Sequence, residues 1–453
     1  MDLGLFKAKA SEAAGKAGFE NWEIYARTGN TFSVRVNDQK LDEYKNSTFI
    51  GASFRGVKNG KMGYAYTEKL EEETVWELVS NAAENAILID SKDPAILYPG
   101  SPEYPVCDSW SSAVENMSVE EKIALSFEME RRALAFDPRI VAADYCGMGD
   151  FGYEVSIANS YGLDISFRSN ILYASLFVRA FENGKTKSVM KYWHGIDPGK
   201  FDIDELVENA CGRAIRSLAA TSVPTGAYPV VFTSKAAISF FNCFLAAFYA
   251  ENAQKGFSLL KGKTGEQVAA SIVNLRDDGI CEASFGSQAF DSEGVPCFDK
   301  DVIKDGALVT LLYNMKSAAV EKVKSTGNGF KRGPSREVET LPVNLYMVPS
   351  DKPIEEAYGS YEKVLVVRSM MGLHSGANPV SGDFSLLVSE GELIEGKDSR
   401  PIEQLTIAGN FFQVLKDIEA IGNDLQFSIP EGAGTVGMPS FLAKGIKVSG
   451  EEA

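Results

Sequence analysis

The residues able to do acid–base, nucleophilic or metal chemistry are few and scattered. The chain has only two histidines, His194 and His374. A zincin site places two histidines within one helical stretch, with a glutamate as base; these two lie far apart in sequence. Serine hydrolysis needs a base beside the nucleophile, and no GxSxG elbow occurs. His374 adjoins Ser375, but neighbours on an extended chain point to opposite faces and cannot form a dyad. The cysteines (Cys107, Cys146, Cys211, Cys243, Cys281, Cys297) include no CxxC pair, which suits free thiols in a reducing compartment. Carboxylates gather at Asp277, Asp278, Asp291, Glu293, Asp299 and Asp301, near Gly279, Gly294 and Gly306. That composition predicts hydrated turns rather than a cation site. The residue chemistry therefore predicts neither a catalytic centre nor a metal site.

Two phosphate-binding patterns fail on context. Gly432-Ala433-Gly434-Thr435-Val436-Gly437 matches GxGxxG, but Pro439 and a strand-like run follow where a Rossmann turn needs a helix. Gly262-Lys263-Thr264 resembles the end of a P-loop, yet Gly256 stands one residue too far upstream. The net charge of −17 and pI near 4.8 repel nucleic acid. The densest basic group, Lys322, Lys324, Lys331, Arg332 and Arg336, is diluted by Gly and Ser and reads as a solvated loop. Direct nucleic-acid binding is not expected. No apolar run approaches the roughly 18 residues of a membrane span. The start, Met1 to Lys7, lacks the basic and apolar regions of a signal peptide, so a cytoplasmic location is expected.

Around these residues the chain reads as a repeated pattern. A helix near 3–17 precedes alternating runs at 22–27, 32–36, 50–55 and 62–66, and a helix follows at 71–88. Four prolines between 94 and 105 mark a linker. Ser118 and Glu121 have capping-box spacing and open a helix to about 135. Strands at 139–147, 152–159, 163–169 and 171–181 and a helix at 203–218 repeat the first order. Asn59-Gly60-Lys61 echoes Asn183-Gly184-Lys185, and Glu77-Leu78-Val79 echoes Glu205-Leu206-Val207. After a second break at 223–229 comes an aromatic helix at 234–253, its core stripe formed by Ile238, Phe241, Leu245 and Phe248. Asn242 on that helix is expected to need a polar partner or water. Strands follow at 342–348, 363–369, 385–395 with a hairpin turn at Glu390-Gly391, 403–408 and 441–448, with a helix at 411–421. The expected fold class is α+β: duplicated helix–meander–helix units at 1–90 and 117–222, a linker at 91–116, and a strand-rich domain at 223–453.

Within that last domain, the run from Gly372 to Phe384 (GLHSGANPVSGDF), the stretch Glu390 to Gly396 and the stretch Leu405 to Asn410 resemble the TldD/PmbA family. The order of elements resembles it over nearly the whole chain. The likeness points to the PmbA (TldE) branch, also described as modulators of DNA gyrase. Catalytic TldD members carry a His-Glu-three-residues-His signature on the helix that resembles 234–253. Anchored on Gly262-Lys263-Thr264-Gly265, it falls here at Phe241, Asn242 and Ala246, none of which binds zinc as an imidazole does. The resemblance implies a non-catalytic subunit without a cofactor of its own. It implies a zinc-bearing TldD-type partner and a cytoplasmic metalloprotease acting on unfolded or extended peptides. His374, Asn378 and Asp383 are the candidate loop facing the shared cavity. The alternatives are a self-associating adaptor, built as a homodimer, or a standalone hydrolase with a non-standard site.

Overall fold

Six long strands from the first half of the chain join in one antiparallel sheet. The computed structural model describes residues 2–88, 93–430 and 434–450. The first unit runs α1 (Leu3–Ala17), β1 (Asn21–Asn37), β2 (Lys40–Lys58), β3 (Lys61–Thr67) and α2 (Glu72–Leu88). After a short α3 (Ser112–Asn116), the second runs α4 (Val119–Phe136), β4 (Ile140–Asn159), β5 (Asp164–Glu182), β6 (Lys185–Gly195) and α5 (Ile203–Ser217). The sheet order is β3-β2-β1-β4-β5-β6, so the two units meet along β1 and β4. α4 starts on the full capping box between Ser118 and Glu121.

The sequence pattern splits β1, β4 and β5 into shorter strands, and the structure corrects this. The glycines between the short runs are not turns. A Cβ on Gly29 would lie 2.3 Å from the Gly152 carbonyl oxygen, and one on Gly149 would lie 2.5 Å from that of Phe32. These glycines let β1 and β4 approach closely and continue. The true turns are Asn59-Gly60 and Asn183-Gly184, each with positive φ at both residues, as a two-residue hairpin of type I′ requires. Because β1 is long, it serves two cores. Ile24 and Ala26 pack with Phe6, Val75 and Leu78; Phe32, Val34 and Val36 pack with Met129, Ala133 and Val207.

The remainder begins with β7 (Gly226–Phe232), α6 (Ser234–Phe244), a 3₁₀ turn at Leu245–Phe248 and α7 (Ala250–Gln254). Then come β8 (Leu275–Asp277), β9 (Lys300–Lys304), β10 (Ala307–Leu308), α8 (Met315–Glu321), β11 (Gly329–Phe330), β12 (Glu339–Thr340) and β13 (Asn344–Met347). The last stretch holds β14 (Lys363–Met371), β15 (Asp383–Glu395), β16 (Asp398–Pro401), β17 (Leu405–Asn410), α9 (Phe411–Lys416), β18 (Ile418–Ile421), β19 (Gln426–Phe427), β20 (Thr435–Met438) and β21 (Phe441–Ser449). Strands β14, β7, β21, β17 and β15 close on themselves through the β14–β15 pair. The other sheet has the order β10-β9-β8-β13-β20-β19. α6 packs against β7 and β14 of the first and β20 of the second. The fold class is α+β. Of the GxGxxG pattern, Gly432 and Ala433 lie outside the described residues; Thr435 to Met438 form β20, and the strand β21 follows where a Rossmann turn needs a helix. Among the described residues no helix is long and apolar enough to cross a membrane, and all six cysteines are free thiols.

Three local expectations are corrected here. The helix over 234–253 is broken. Leu312 N–H donates to the Phe248 carbonyl and Ala250 N–H to the Leu312 carbonyl, both at 2.9 Å, and these bonds pull Tyr249 into an extended conformation. The hairpin expected at Glu390-Gly391 is absent. β15 runs through it, and Gly391 is needed because a Cβ there would meet the Val366 carbonyl oxygen at 2.6 Å. The turn lies at Gly396-Lys397, with Gly396 at φ 61°. The helix at 411–421 stops at Lys416, and Ile418–Ile421 instead pairs with β21.

The carboxylates expected in hydrated turns form a buried polar network. Asp277, Asp278, Asp291 and Glu293 are buried, while Asp299 and Asp301 stay nearer the surface. The reason is backbone satisfaction: loops that cross the interior need acceptors for their N–H groups. Asp277 accepts from the Val343 and Asn344 N–H groups at 2.8 and 2.9 Å. Asp291 accepts from the N–H groups of Glu293, Val295 and Gly329. Glu293 accepts from the Met315 N–H and, with Glu23, neutralises Arg55. Lys331, expected in a solvated loop, is also buried. It donates to Ser53 Oγ at 3.0 Å and lies over the Tyr25 and Tyr64 rings. The Arg55–Glu293 pair and Lys331 with Ser53, Tyr25 and Tyr64 join the first unit to the strand-rich region.

Candidate functional site

The loop nominated from sequence is held by its own polar groups. Asn378 Oδ1 accepts from the N–H groups of Val380 and Ser381, at 3.0 and 3.2 Å. The Asp383 carboxylate accepts from Asn410 Nδ2 and Ser381 Oγ, both at 2.9 Å, and these bonds hold its pKa below the usual range. The Asn378 N–H also donates to the Asp383 carbonyl at 2.8 Å, so the structure brings these two residues together. Gly382 has φ 83°, and a Cβ there would press on the Phe412 ring at 2.6 Å. Asn378 and Asp383 thus shape a turn. His374 is exposed on the same loop, and none of the three lines the cleft described below.

The three positions set by the metal signature do not share a face. Phe241 is 1% exposed, its ring 5.3 Å from that of Phe411 and 6.3 Å from that of Phe441. Asn242 is exposed and needs no buried partner, which corrects the expectation for its amide. Ala246 lies half-buried beyond the end of α6.

The solvent side of α6 borders a cleft of about 420 Å³ between the second unit and the strand-rich region. Lys191, Tyr192 and His194 reach it from β6 and Arg213 from α5; Lys235, Ile238 and Ser239 reach it from α6 and Arg368 from β14. The periodicity of α6 explains its part. Residues 235, 238, 239 and 242 form the stripe opposite the buried phenylalanines, so Ile238, expected in the core stripe, faces the cleft instead. Both arginines are neutralised: Arg213 Nε donates to Glu390 at 2.6 Å, and Arg368 Nε to Glu392 at 3.2 Å. Asp424 is held by the N–H and Oγ of Ser440 at 2.8 and 2.6 Å, and Glu355 is exposed. The two lysines have no carboxylate partner among the described residues. Lys235 Nζ donates to the Met190 carbonyl at 3.1 Å and lies over Tyr192. Burial, then Arg213 and Lys235, pulls the Lys191 ammonium down to about 8. Burial, then Arg213, lowers Lys235; burial alone lowers His194, whose ring meets Phe285 edge-on at 5.7 Å.

Sequence profiles of the PmbA/TldA metallopeptidase match the chain in order: domain 1 at residues 22–86, the central domain at 113–218 and the C-terminal domain at 225–450. The chain belongs to the PmbA/TldD family. It is 30% identical to a Thermotoga maritima protein provisionally described as a modulator of a DNA gyrase. That structure superposes with a TM-score of 0.90 over 99% of this chain and 100% of the other. TldE from Thermococcus kodakarensis has the same fold, with a TM-score of 0.87 over 98% and 99% of the two chains at 20% identity. Metalloprotease PmbA of Escherichia coli O157:H7 is 25% identical over 96% of this chain and 94% of that protein.

The family description implies a metal, and the residues present do not fit one. The signature positions offer an aromatic ring, an amide and a methyl group. His194 lines the cleft whereas His374 sits on the separate loop. Among the described residues, no three His, Cys, Asp or Glu side chains gather as a ligand set. The cleft cations of this PmbA/TldD chain escaped sequence reasoning because they come from four elements. The one local hint is a run of lysines, Lys185, Lys187 and Lys191, on a strand of an acidic chain.

Proposed function

We propose that this chain is the non-catalytic, TldE-type subunit of a TldD/TldE-like cytoplasmic metalloprotease acting on unfolded or extended peptides, its zinc held by a TldD-type partner. The observation that carries the reading is the packing of Phe241. The position where a catalytic relative needs an imidazole is filled by a ring locked among Phe411 and Phe441. A metal ligand there would have to leave the core. Free strand edges support the peptide part: β3 and β6 end the six-stranded sheet, and β19 ends another. An extended peptide adds to such an edge through backbone hydrogen bonds, with broad sequence tolerance.

The test is peptide cleavage by this chain, by a TldD-type partner and by both, with and without chelator. Chelator-sensitive cleavage is expected from the mixture and not from this chain alone, and elemental analysis of this chain is expected to find no stoichiometric zinc. Cleavage by this chain alone refutes the non-catalytic role. Cleavage by the partner, unchanged when this chain is added, refutes the subunit role.

A further inference from the structure

The cleft beside α6 combines features that the subunit reading leaves unused. The chain as a whole is strongly acidic, yet this cleft holds two ammonium groups, Lys191 and Lys235, without carboxylate partners among the described residues. Of the carboxylates around the cleft, Glu390 and Glu392 pair with the two arginines, Asp424 accepts from Ser440, and Glu355 is exposed at the rim and makes no ion pair with either lysine. Concentrating uncompensated cations in a concave, partly desolvated wall is unfavourable unless an anion completes it. The first turn of α6 also lines the cleft through Ser234 and Lys235; the Ser234 N–H is taken by Ser440 Oγ at 3.0 Å, and the N-terminal end of the helix adds positive potential.

Two further features define the anion. β6 is the last strand of its sheet, and Lys191, Tyr192 and His194 on it face the cleft. The rest of the wall is mixed, with an apolar part formed by Ile238, Tyr358 and Phe427 beside the polar Ser239, Gln426 and Ser428. A free inorganic anion uses neither a strand edge nor an apolar wall. An extended chain ending in a negative charge uses both, and lysines serve as the point charges that end requires. The volume lies within the range of ligand clefts.

Building on the peptide-handling reading above, we propose that this cleft receives the C-terminal carboxylate of an extended peptide, held by Lys191 and Lys235, with the last residues lying along the free edge of β6. The chain then recognises the end of a peptide independently of its sequence.

The experiment needs only the full chain. An N-terminally labelled, unstructured peptide is titrated by fluorescence anisotropy with a free C-terminal carboxylate and as its C-terminal amide. The free acid is expected to bind about tenfold or more tightly, the ratio that one charge-assisted hydrogen bond supplies. Lys191→Met should erase that ratio, Lys191→Arg should keep most of it, and both variants should melt at or above the native temperature. Equal affinity for acid and amide, binding of neither, or an unchanged ratio in Lys191→Met overturns the site. Inorganic phosphate that displaces both peptides equally, with no preference for the free acid, overturns it in favour of an oxyanion site. Because the partner is absent, a missing acid preference alongside cleavage by the mixed subunits sinks this site and leaves the subunit reading standing.

Discussion

The two seams of the molecule hold charge in opposite ways. Where the first unit meets the strand-rich region, each buried cation has a fixed partner: Arg55 lies between Glu23 and Glu293, and Lys331 donates to Ser53 Oγ at 3.0 Å and lies over the Tyr25 and Tyr64 rings. Where the second unit meets the same region, Lys191 and Lys235 line an open cleft and pair with no carboxylate among the described residues. A matched buried network holds parts together, because every desolvated group has its partner. An unmatched one is a candidate site for a ligand, because its desolvation is offset only when something binds.

The largest test of this contrast removes one carboxylate from the matched seam. Glu23→Ala leaves Arg55 buried beside Glu293 alone and is expected to destabilise by about 3–5 kcal/mol, read from the denaturation midpoint. A loss near zero would show that water reaches Arg55 and that the seam is not a closed network.

The second test uses pH. Burial, then Arg55, pulls Lys331 down to about 7, with Glu23 and Glu293 opposing. Its folded pKa lies below its unfolded one, so between about 7 and the ordinary lysine value the unfolded chain binds more protons. Stability attributable to this group therefore rises with pH across that window and is lowest below it. Lys191, facing Arg213, Lys235, Arg368 and Glu390, acts in the same direction above about 8. The double variant Lys331→Met/Lys191→Met is expected to flatten the rise in melting temperature between pH 7 and 9. An equal rise in the variant would overturn the assignment.

A smaller effect separates the seams directly. Lys191→Met is expected to stabilise the chain at pH 7 by about 0.5–2 kcal/mol, as removal of a binding-site strain commonly does. A clear destabilisation would mean that Lys191 belongs to the framework. The smallest effect is the control: Lys16→Ala breaks an exposed pair with Glu12 and should leave the midpoint unchanged.

Much of the fold was legible where local chemistry decides it. α1, α2, α4 and α5 lie within a residue or so of their expected spans, because an apolar stripe and a cap such as Ser118 act within a few turns. The Asn-Gly turns were legible for the same reason. The strand breaks expected around Gly29 and Gly149 and the hairpin expected at Glu390-Gly391 are absent, because the role of these glycines depends on a carbonyl from a distant strand. The nominated loop was legible as a special turn, but the use of Asn378 and Asp383 to hold it required the partners Ser381 and Asn410.

The sequence by itself determined the family, the α+β class, the helices with their caps, and the lack of imidazole at Phe241, Asn242 and Ala246. Each rests on residue identity or on spacing within a few turns. Only the tertiary structure decided which charges are matched. Arg55 meets Glu293 and Lys331 meets Ser53 across more than half the chain, while Lys191 and Lys235 converge from separate elements without a carboxylate partner among the described residues. Desolvation and pairing depend on what surrounds a side chain in space, and no local pattern of residues specifies that.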